Sequence, residues 1–257
     1  MTGSPLPPKS FRISKKNNLF DLLDFHIHIA RLPRPEEISR ALVRRGYKAV
    51  LVACEPWEWE RIEALLPLWK DSAIPCFGIH PMIAANLNRE ELAALRSLLH
   101  KYPQAFVGEC GLDKRFPGYA PGEIQESVFQ TQAEMALEMQ RPLMLHSVGD
   151  SRRLLKILEG AGFSPTCGQP IFHRFSGDAE IVKRAMALNA LFSLHLDSFR
   201  KKSFCRALPL IPAERIRFET DADESFLMPS PEALESNLQE CVRRFEWLKM
   251  ERDSENL

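Results

Sequence analysis

Short apolar segments alternate with amphipathic segments along almost the whole chain, and this alternation limits the possible folds more than any other feature. The first pair is a predicted strand at residues 20–29 and a predicted helix at 35–46; the last is a strand at 215–220 and a helix at 231–249. Eight such pairs fit into the 257 residues. Regular alternation predicts parallel strands covered by helices. Eight repeats in a chain near the usual length of about 250 residues predict a closed (β/α)8 barrel, the TIM barrel of the α/β class.

An open, doubly wound sheet is the alternative for a chain in which strands and helices alternate. Such a sheet is expected to carry a glycine-rich phosphate-binding motif directly after its first strand, and this sequence has none there. The closed barrel is therefore the expected arrangement. Its seventh strand is predicted at 190–196 and its seventh helix at 199–208.

The pattern predicts a single domain over residues 19–250, because no linker or change of composition interrupts it. Residues 1–18 are polar, with proline and lysine, which predicts a disordered tail and argues against a signal peptide. Residues 251–257 are expected to be a frayed C-terminus.

Composition argues against a membrane protein and against a disulfide-rich secreted protein. No apolar run approaches the roughly 18 residues that a membrane span requires. Six cysteines occur singly, which predicts reduced thiols in a cytoplasmic protein. The formal net charge is zero, so no overall positive field attracts nucleic acid and any contact with a polyanion must be local. We also expect a monomer.

Histidines and acidic residues recur where the predicted strands end. In a parallel barrel, side chains at these ends point into the mouth, where the chemistry of such folds takes place. Four imidazoles, one glutamate and one aspartate meeting there would bind two divalent metal ions. These predicted ligands are His26, His28, Glu109, His146, His173 and Asp221.

Each predicted ligand also has an ordinary structural explanation. A His-x-His pair such as His26 and His28 is often incidental, a buried Glu109 could be satisfied by an arginine, and Asp221 could cap a helix. His146 and His173 taken singly could be hydrogen-bonded core histidines. The joint pattern favours a metal site, because six of the seven histidines lie in or at the end of predicted strands.

The motifs in this order resemble the TatD family of metal-dependent deoxyribonucleases, one of the amidohydrolase-like barrels. The resemblance covers about residues 20–225 and rests on Asp24-Phe25-His26-Ile27-His28, Gly78-Ile79-His80-Pro81, Val107-Gly108-Glu109-Cys110-Gly111-Leu112-Asp113, Pro142-Leu143-Met144-Leu145-His146-Ser147, Phe172-His173-Arg174-Phe175-Ser176-Gly177 and Glu219-Thr220-Asp221-Ala222.

That resemblance implies two divalent cations and phosphodiester hydrolysis on DNA. It implies that His26, His28 and Asp221 hold one ion, that His146 and His173 hold the other, that Glu109 lies between them, and that His80 lies near the substrate. Asp221 and Glu109 are then the predicted catalytic residues, with Asp221 orienting a metal-activated water and accepting its proton. Mixed imidazole and carboxylate ligands suit Zn²⁺, Mn²⁺, Fe²⁺ or Ni²⁺, whereas the resemblance implies Mg²⁺.

Some positions depart from the pattern of that family. Val148 stands where the family usually has an arginine, and Arg152 or Arg153, one helical turn further on, is the predicted replacement for its phosphate contact. Lys114 is a second predicted phosphate contact, although a solvated helix face explains it equally well. Asp223 adds a negative charge near the mouth, and the C-terminal part is short.

Three functions remain open at this point. The first is a hydrolase that cuts DNA, single-stranded or from an end. The second is a small-molecule hydrolase, such as a lactonase or phosphoesterase, that uses the same metals; Val148 and Asp223 favour it. The third is a non-catalytic barrel that keeps metals for stability or for partner binding, which the short C-terminal part favours.

Overall fold

A computed structural model describes residues 23–115 and 122–255. Its eight strands are all parallel and close into one barrel in chain order, so the predicted (β/α)8 architecture is confirmed. The strands are β1 Leu23–Ile27, β2 Lys48–Ala53, β3 Ala73–Phe77, β4 Phe106–Asp113, β5 Pro142–Val148, β6 Gln169–Phe172, β7 Leu191–Leu194 and β8 Ile216–Phe218.

A helix follows every strand and covers the outside of the barrel. The helices are α1 Pro35–Arg44, α2 Pro56–Trp69, α3 Arg89–Lys101, α4 Gly122–Glu138, α5 Ser151–Ala161, α6 Ala179–Ala187, α7 Lys202–Ala207 and α8 Pro231–Glu255. The predicted tail, 1–18, lies outside the described residues. The predicted frayed end, 251–257, falls partly on α8 and partly on 256–257, which also lie outside them.

The seventh helix differs from the prediction of 199–208. A 3-10 turn at Leu196–Arg200 comes first, and α7 is confined to Lys202–Ala207. The side chain of His195 accepts a hydrogen bond from the backbone N–H of Asp197, and Ser198 Oγ accepts one from the N–H of His195. These local bonds satisfy backbone groups outside an α-helix, which explains the tighter turn at the mouth.

Two apolar clusters hold the barrel together. The larger one lies between the strands and the helices and includes Ala49 and Leu51 of β2. The smaller one includes Val50 and Val52 of the same strand, together with Met144 of β5. Because successive side chains of a strand point to opposite faces, the smaller cluster fills the interior of the barrel. The site described below lies above this apolar filling.

Asp24 closes the barrel between its first and last strands. Its carboxylate accepts hydrogen bonds from the hydroxyl of Tyr47 at 2.9 Å and from the backbone N–H of Thr220 at 3.0 Å. Burial raises the pKa of Asp24 to about 7, while the hydrogen bonds from Thr220 and Tyr47 act in the opposite direction. The register of β1 on β2 shifts between Asp24 and Ile27, which is where the strand reaches the mouth.

All six cysteines are free thiols, as expected from their single spacing. Among the described helices, none is both long enough and apolar enough to cross a bilayer.

Candidate metal centre

The six predicted ligands meet at one end of the barrel. His26 belongs to β1 and His28 follows it directly, while Glu109 and His146 belong to β4 and β5. His173 and Asp221 come just after β6 and β8. Of the six, His28, Glu109, His146, His173 and Asp221 line a cavity of about 910 Å³. The carboxyl ends of the strands therefore bring together groups that lie up to 195 positions apart, from 26 to 221.

One group of donor atoms forms around the first strand. The Nε2 atoms of His26 and His28 lie 3.1 Å apart, and Glu109 Oε2 lies 3.3 and 3.4 Å from them. Asp221 Oδ1 lies 3.7 and 3.8 Å from the same two nitrogens. Donors around a tetrahedral ion with bonds of about 2.1 Å are about 3.4 Å apart, so these four atoms have the spacing of a shared cation site.

A second group of donor atoms forms around the other oxygen of Glu109. Its Oε1 lies 2.6 Å from His146 Nδ1 and 2.7 Å from His173 Nε2. The two imidazole nitrogens are 3.4 Å apart. Each carboxylate oxygen of Glu109 thus faces a different set of imidazoles, which is the arrangement expected of a carboxylate between two cations.

The charge on Glu109 is maintained by these neighbours. Burial would raise its pKa, but the neighbouring imidazoles, His173 foremost, outweigh burial and hold the pKa of Glu109 well below its ordinary value. Burial, together with His173, lowers the pKa of His26, so this imidazole is neutral at pH 7 and offers a lone pair. A neutral imidazole beside an ionised carboxylate is the protonation state that metal binding requires.

The donor set fits a divalent cation. His26 and Glu109 are at most 2% exposed, and a buried charge of this kind is costly unless it is paired or binds a metal. Two imidazole nitrogens that face each other can share only one proton, whereas a cation among them would satisfy both lone pairs. Glu109 belongs to three sets of side chains that are close enough together to hold a metal ion. One of these sets combines the thiol of Cys54 with His28 and Glu109.

Asp113 orients His146, and the sequence reasoning gave it no role. Its Oδ2 lies 2.9 Å from His146 Nε2, so it accepts the proton on that nitrogen and leaves Nδ1 to face Glu109. A carboxylate behind a ligating histidine fixes its tautomer and ring orientation. Burial opposes ionisation of Asp113, but bonds from His146 and Arg115 prevail and lower its pKa. The signal in the sequence was its position four residues after Glu109, on the same face of β4.

Glu219 has the corresponding place behind His173, and it was also missed. It is fully buried, with its Oε1 3.5 Å from His173 Nδ1. The same oxygen accepts the backbone N–H of Arg174. Burial would raise the pKa of Glu219, but His173 holds it below the ordinary value. With the carboxylate of Glu219 on the Nδ1 side of the ring, the Nε2 atom of His173 is turned towards Glu109.

His80 lies beside the second donor group, as predicted. Its Nε2 is 3.2 Å from His146 Nδ1, and its Nδ1 accepts the backbone N–H of Met82. Burial and the neighbouring His146 lower the pKa of His80 to about 3, so the ring is neutral. Because Nδ1 is an acceptor, the single proton of the neutral ring is on Nε2, and His80 is a donor at the mouth.

The predicted phosphate contacts are engaged with acidic partners. Arg152 lines the cavity, but its guanidinium bonds both oxygens of Glu180, at 3.1 and 2.6 Å. Lys114 is bonded to Asp150, which caps α5. Arg153 pairs with Glu126. Their role towards a substrate stays a prediction.

Arg174 was not singled out from the sequence, yet its guanidinium contacts a predicted ligand. Its Nη1 donates to Asp221 Oδ2 at 2.7 Å, and its Nη2 donates to Asp197 Oδ2 at 2.5 Å. Val148 and Asp223, the two positions that depart from the pattern of the family, also line the cavity.

Comparison with known proteins identifies the family. The TatD related DNase family matches residues 23–245. A metal-dependent hydrolase named TatD from Mycobacterium tuberculosis is 30% identical over 232 residues, covering 86% of both chains. A 3'-5' ssDNA/RNA exonuclease TatD from Pantoea vagans is 31% identical over 155 residues, covering 59% of this chain and 58% of its own.

A solved structure shares the fold. The TatD homologue YJJV of Escherichia coli K12 superposes with a TM-score of 0.76 at 22% identity, covering 90% of this chain and 91% of its own. The family match spans most of the chain, and the site contains groups suited to a divalent metal. This protein belongs to the TatD-related DNase family and is a metal-dependent hydrolase that acts on ester bonds.

Proposed function

We propose that this hydrolase uses two divalent metal ions to cleave the phosphodiester bonds of DNA, as a single strand or from an end. The observation that carries the proposal is Glu109, whose two oxygens each face a separate pair of imidazoles. His26, His28 and Asp221 would hold one ion, and His146 and His173 the other. When bound, the ions supply a Lewis acid for a phosphate oxygen and an activated water.

The residues of the chain itself have distinct tasks in this proposal. Asp221 would orient the attacking water and accept its proton, because both tasks need a carboxylate beside the cations. Its Oδ1 faces His26 and His28, and its Oδ2 accepts Nη1 of Arg174. Glu109 keeps the two donor groups together. His80 donates a hydrogen bond from Nε2 to a substrate oxygen, a task for which its low pKa and fixed tautomer suit it.

The relatives and the cavity both favour a nucleic-acid strand as the substrate. Relatives from several Pantoea and Erwinia strains carry the name 3'-5' ssDNA/RNA exonuclease TatD. The cavity is lined by Arg174 and Lys201, which can approach phosphates. A blind pocket in a barrel accepts the end of a single strand more readily than a duplex.

The donor set favours a particular group of metals. Four imidazoles and two carboxylates suit Zn²⁺, Mn²⁺, Fe²⁺ or Ni²⁺ better than Mg²⁺, which prefers oxygen ligands. Elemental analysis of the purified protein, followed by reconstitution with each ion, tests both the identity and the number. We expect two ions per chain, and a single ion per chain would contradict the dinuclear site.

Digestion of labelled oligonucleotides tests the proposed activity. We expect the metal-loaded protein to degrade single-stranded DNA and the Asp221→Ala variant to lose activity by several orders of magnitude while it stays folded. Asp71→Ala, an exposed aspartate before β3 at the opposite end of the barrel, is the matched control. Near-full activity in the Asp221 variant would remove the proposed base. Single-stranded RNA belongs in the same assay because relatives are named for both nucleic acids.

A small-molecule hydrolase is the second candidate function. Val148 and Asp223 favour it, since one adds an apolar group and the other a negative charge to the wall of the cavity. A panel of lactones and small phosphate esters, assayed beside the oligonucleotides, distinguishes the two. If no substrate is hydrolysed and chelation only lowers the melting temperature, the site instead stabilises the barrel.

A further inference from the structure

We propose that Arg174 forms a phosphate subsite at the mouth of the barrel, beside the proposed metal centre. This inference rests on the proposed function, because it names the group of this chain that would hold the substrate phosphate. It concerns a residue that contacts a proposed metal ligand without being one.

The backbone around Arg174 directs its side chain into the cavity. The residue follows His173 and has a φ of 47°, in the left-handed region that few residues other than glycine adopt. Its N–H donates to the buried Glu219, which holds this conformation. The side chain is 46% exposed and lines the cavity, so a ligand in the mouth can reach its guanidinium.

The other arginines that line the cavity are occupied by acids of their own. Arg31 donates to the fully buried Glu58 and to Glu55, each at 2.5 Å, and removing it would leave a buried charge without a partner. Arg152 bonds both oxygens of Glu180. Arg115 pairs with Asp113.

Arg174 differs from these arginines in the nature of its partner. Asp221 has one oxygen towards His26 and His28 and the other towards Arg174, so a cation and a guanidinium would share the same carboxylate. A metal ion on Oδ1 would withdraw negative charge from Asp221 and weaken its hold on the guanidinium. The Nη1 donor of Arg174 can then bond a phosphate oxygen next to the ion.

Asp197 keeps the guanidinium in place for that exchange. It accepts Nη2 of Arg174 on Oδ2, while its Oδ1 lies 2.8 Å from Arg200. One donor of the planar fork therefore stays anchored when the other changes partner. Lys201, at the end of the same turn, adds positive charge to this side of the cavity. Release of Asp221 Oδ2 would also leave that oxygen available to accept a proton.

Binding of inorganic phosphate to the metal-loaded protein tests the subsite by calorimetry, without any cleavage. We expect Arg174→Ala to weaken phosphate binding about tenfold or more, and Arg174→Lys to weaken it less, because lysine keeps the charge but not the fork. Arg96→Ala is the control, an arginine of α3 that pairs with Glu138 away from the cavity, and its phosphate affinity should stay within about twofold of the wild type.

A parallel titration with metal alone separates the subsite from a purely structural role. Loss of the guanidinium should leave metal affinity unchanged or tighter, because a competitor for Asp221 has gone. Three results would each overturn the proposal. They are unchanged phosphate binding in Arg174→Ala, a fall in the metal affinity of that variant as large as the fall in its phosphate affinity, and no phosphate binding by the wild type. If the wild-type protein binds phosphate through Arg174 but cleaves no nucleic acid, the proposed function is wrong and the phosphate subsite is still supported.

Discussion

Asp24 holds Thr220 through both the backbone and the side chain of that threonine. The backbone N–H donates to Asp24 Oδ1 at 3.0 Å, and Oγ1 donates to Asp24 Oδ2 at 2.6 Å. The pair joins the first and last strands, whose ladder is otherwise short. Because Thr220 directly precedes Asp221, the same bonds place that carboxylate next to His26. This contact therefore contributes both to closure of the barrel and to the position of Asp221 in the candidate metal centre, alongside the backbone bond from the N–H of Asp221 to the carbonyl of His26.

Removing the hydroxyl of Thr220 should destabilise the protein. Thr220→Val keeps the shape of the side chain but deprives the buried Asp24 of a donor, so we expect the free energy of unfolding to fall by about 1.5–3 kcal/mol. Chemical denaturation measures the change. Thr131→Val is the control, since its hydroxyl bonds only the carbonyl of Ser127 on a helix surface, and it should cost less than about 0.5 kcal/mol. Equal losses in the two variants would contradict the role given to Asp24.

Glu109→Gln should abolish tight metal binding. The amide keeps the size of the side chain but replaces one oxygen with a donor, so it cannot face two cations. We expect metal affinity to fall by more than about 100-fold, beyond the effect of a group outside the ligand set. Calorimetric titration with Zn²⁺ or Mn²⁺ measures it, with the exposed Glu60→Gln as control. Two ions bound at wild-type affinity would show that Glu109 is not between them.

Asp113→Asn should weaken metal binding less than Glu109→Gln does. The carboxylate lies behind His146, and loss of such a partner typically lowers metal affinity about 10–100-fold. The same titration measures the effect, and Asp71→Asn before β3 serves as control. An unchanged affinity would mean that His146 keeps its orientation without Asp113.

His80→Ala should lower catalysis and leave metal content unchanged. The ring donates from Nε2 and is not a proposed ligand, so its removal costs a hydrogen bond to substrate, typically about 100-fold in kcat. Elemental analysis gives the metal content of the variant, and oligonucleotide kinetics give its kcat. His100→Ala, on the exposed surface of α3, is the matched control. Loss of a metal ion in the His80 variant would move this residue into the ligand set.

Local patterns were enough to predict the barrel and the end of it at which the six predicted ligands meet. Alternating periodicities are short-range properties, and they located all eight strand–helix pairs. Because parallel strands present their carboxyl ends at one mouth, His146 at the end of an apolar run could be placed there without coordinates. The prediction for the seventh helix was wrong because hydrogen bonds of His195 and Ser198 replaced its first turn.

The partners of the predicted ligands came only from the tertiary structure. Asp113 lies 33 positions from His146, and Arg174 lies 47 positions from Asp221. Composition and periodicity do not encode which distant side chains approach to hydrogen-bond distance, since that depends on strand register and on loop conformation. The sequence alone thus determined the fold and the kind of chemistry. The closed barrel decided which oxygen faces which imidazole, because only closure brings the first and last strands together.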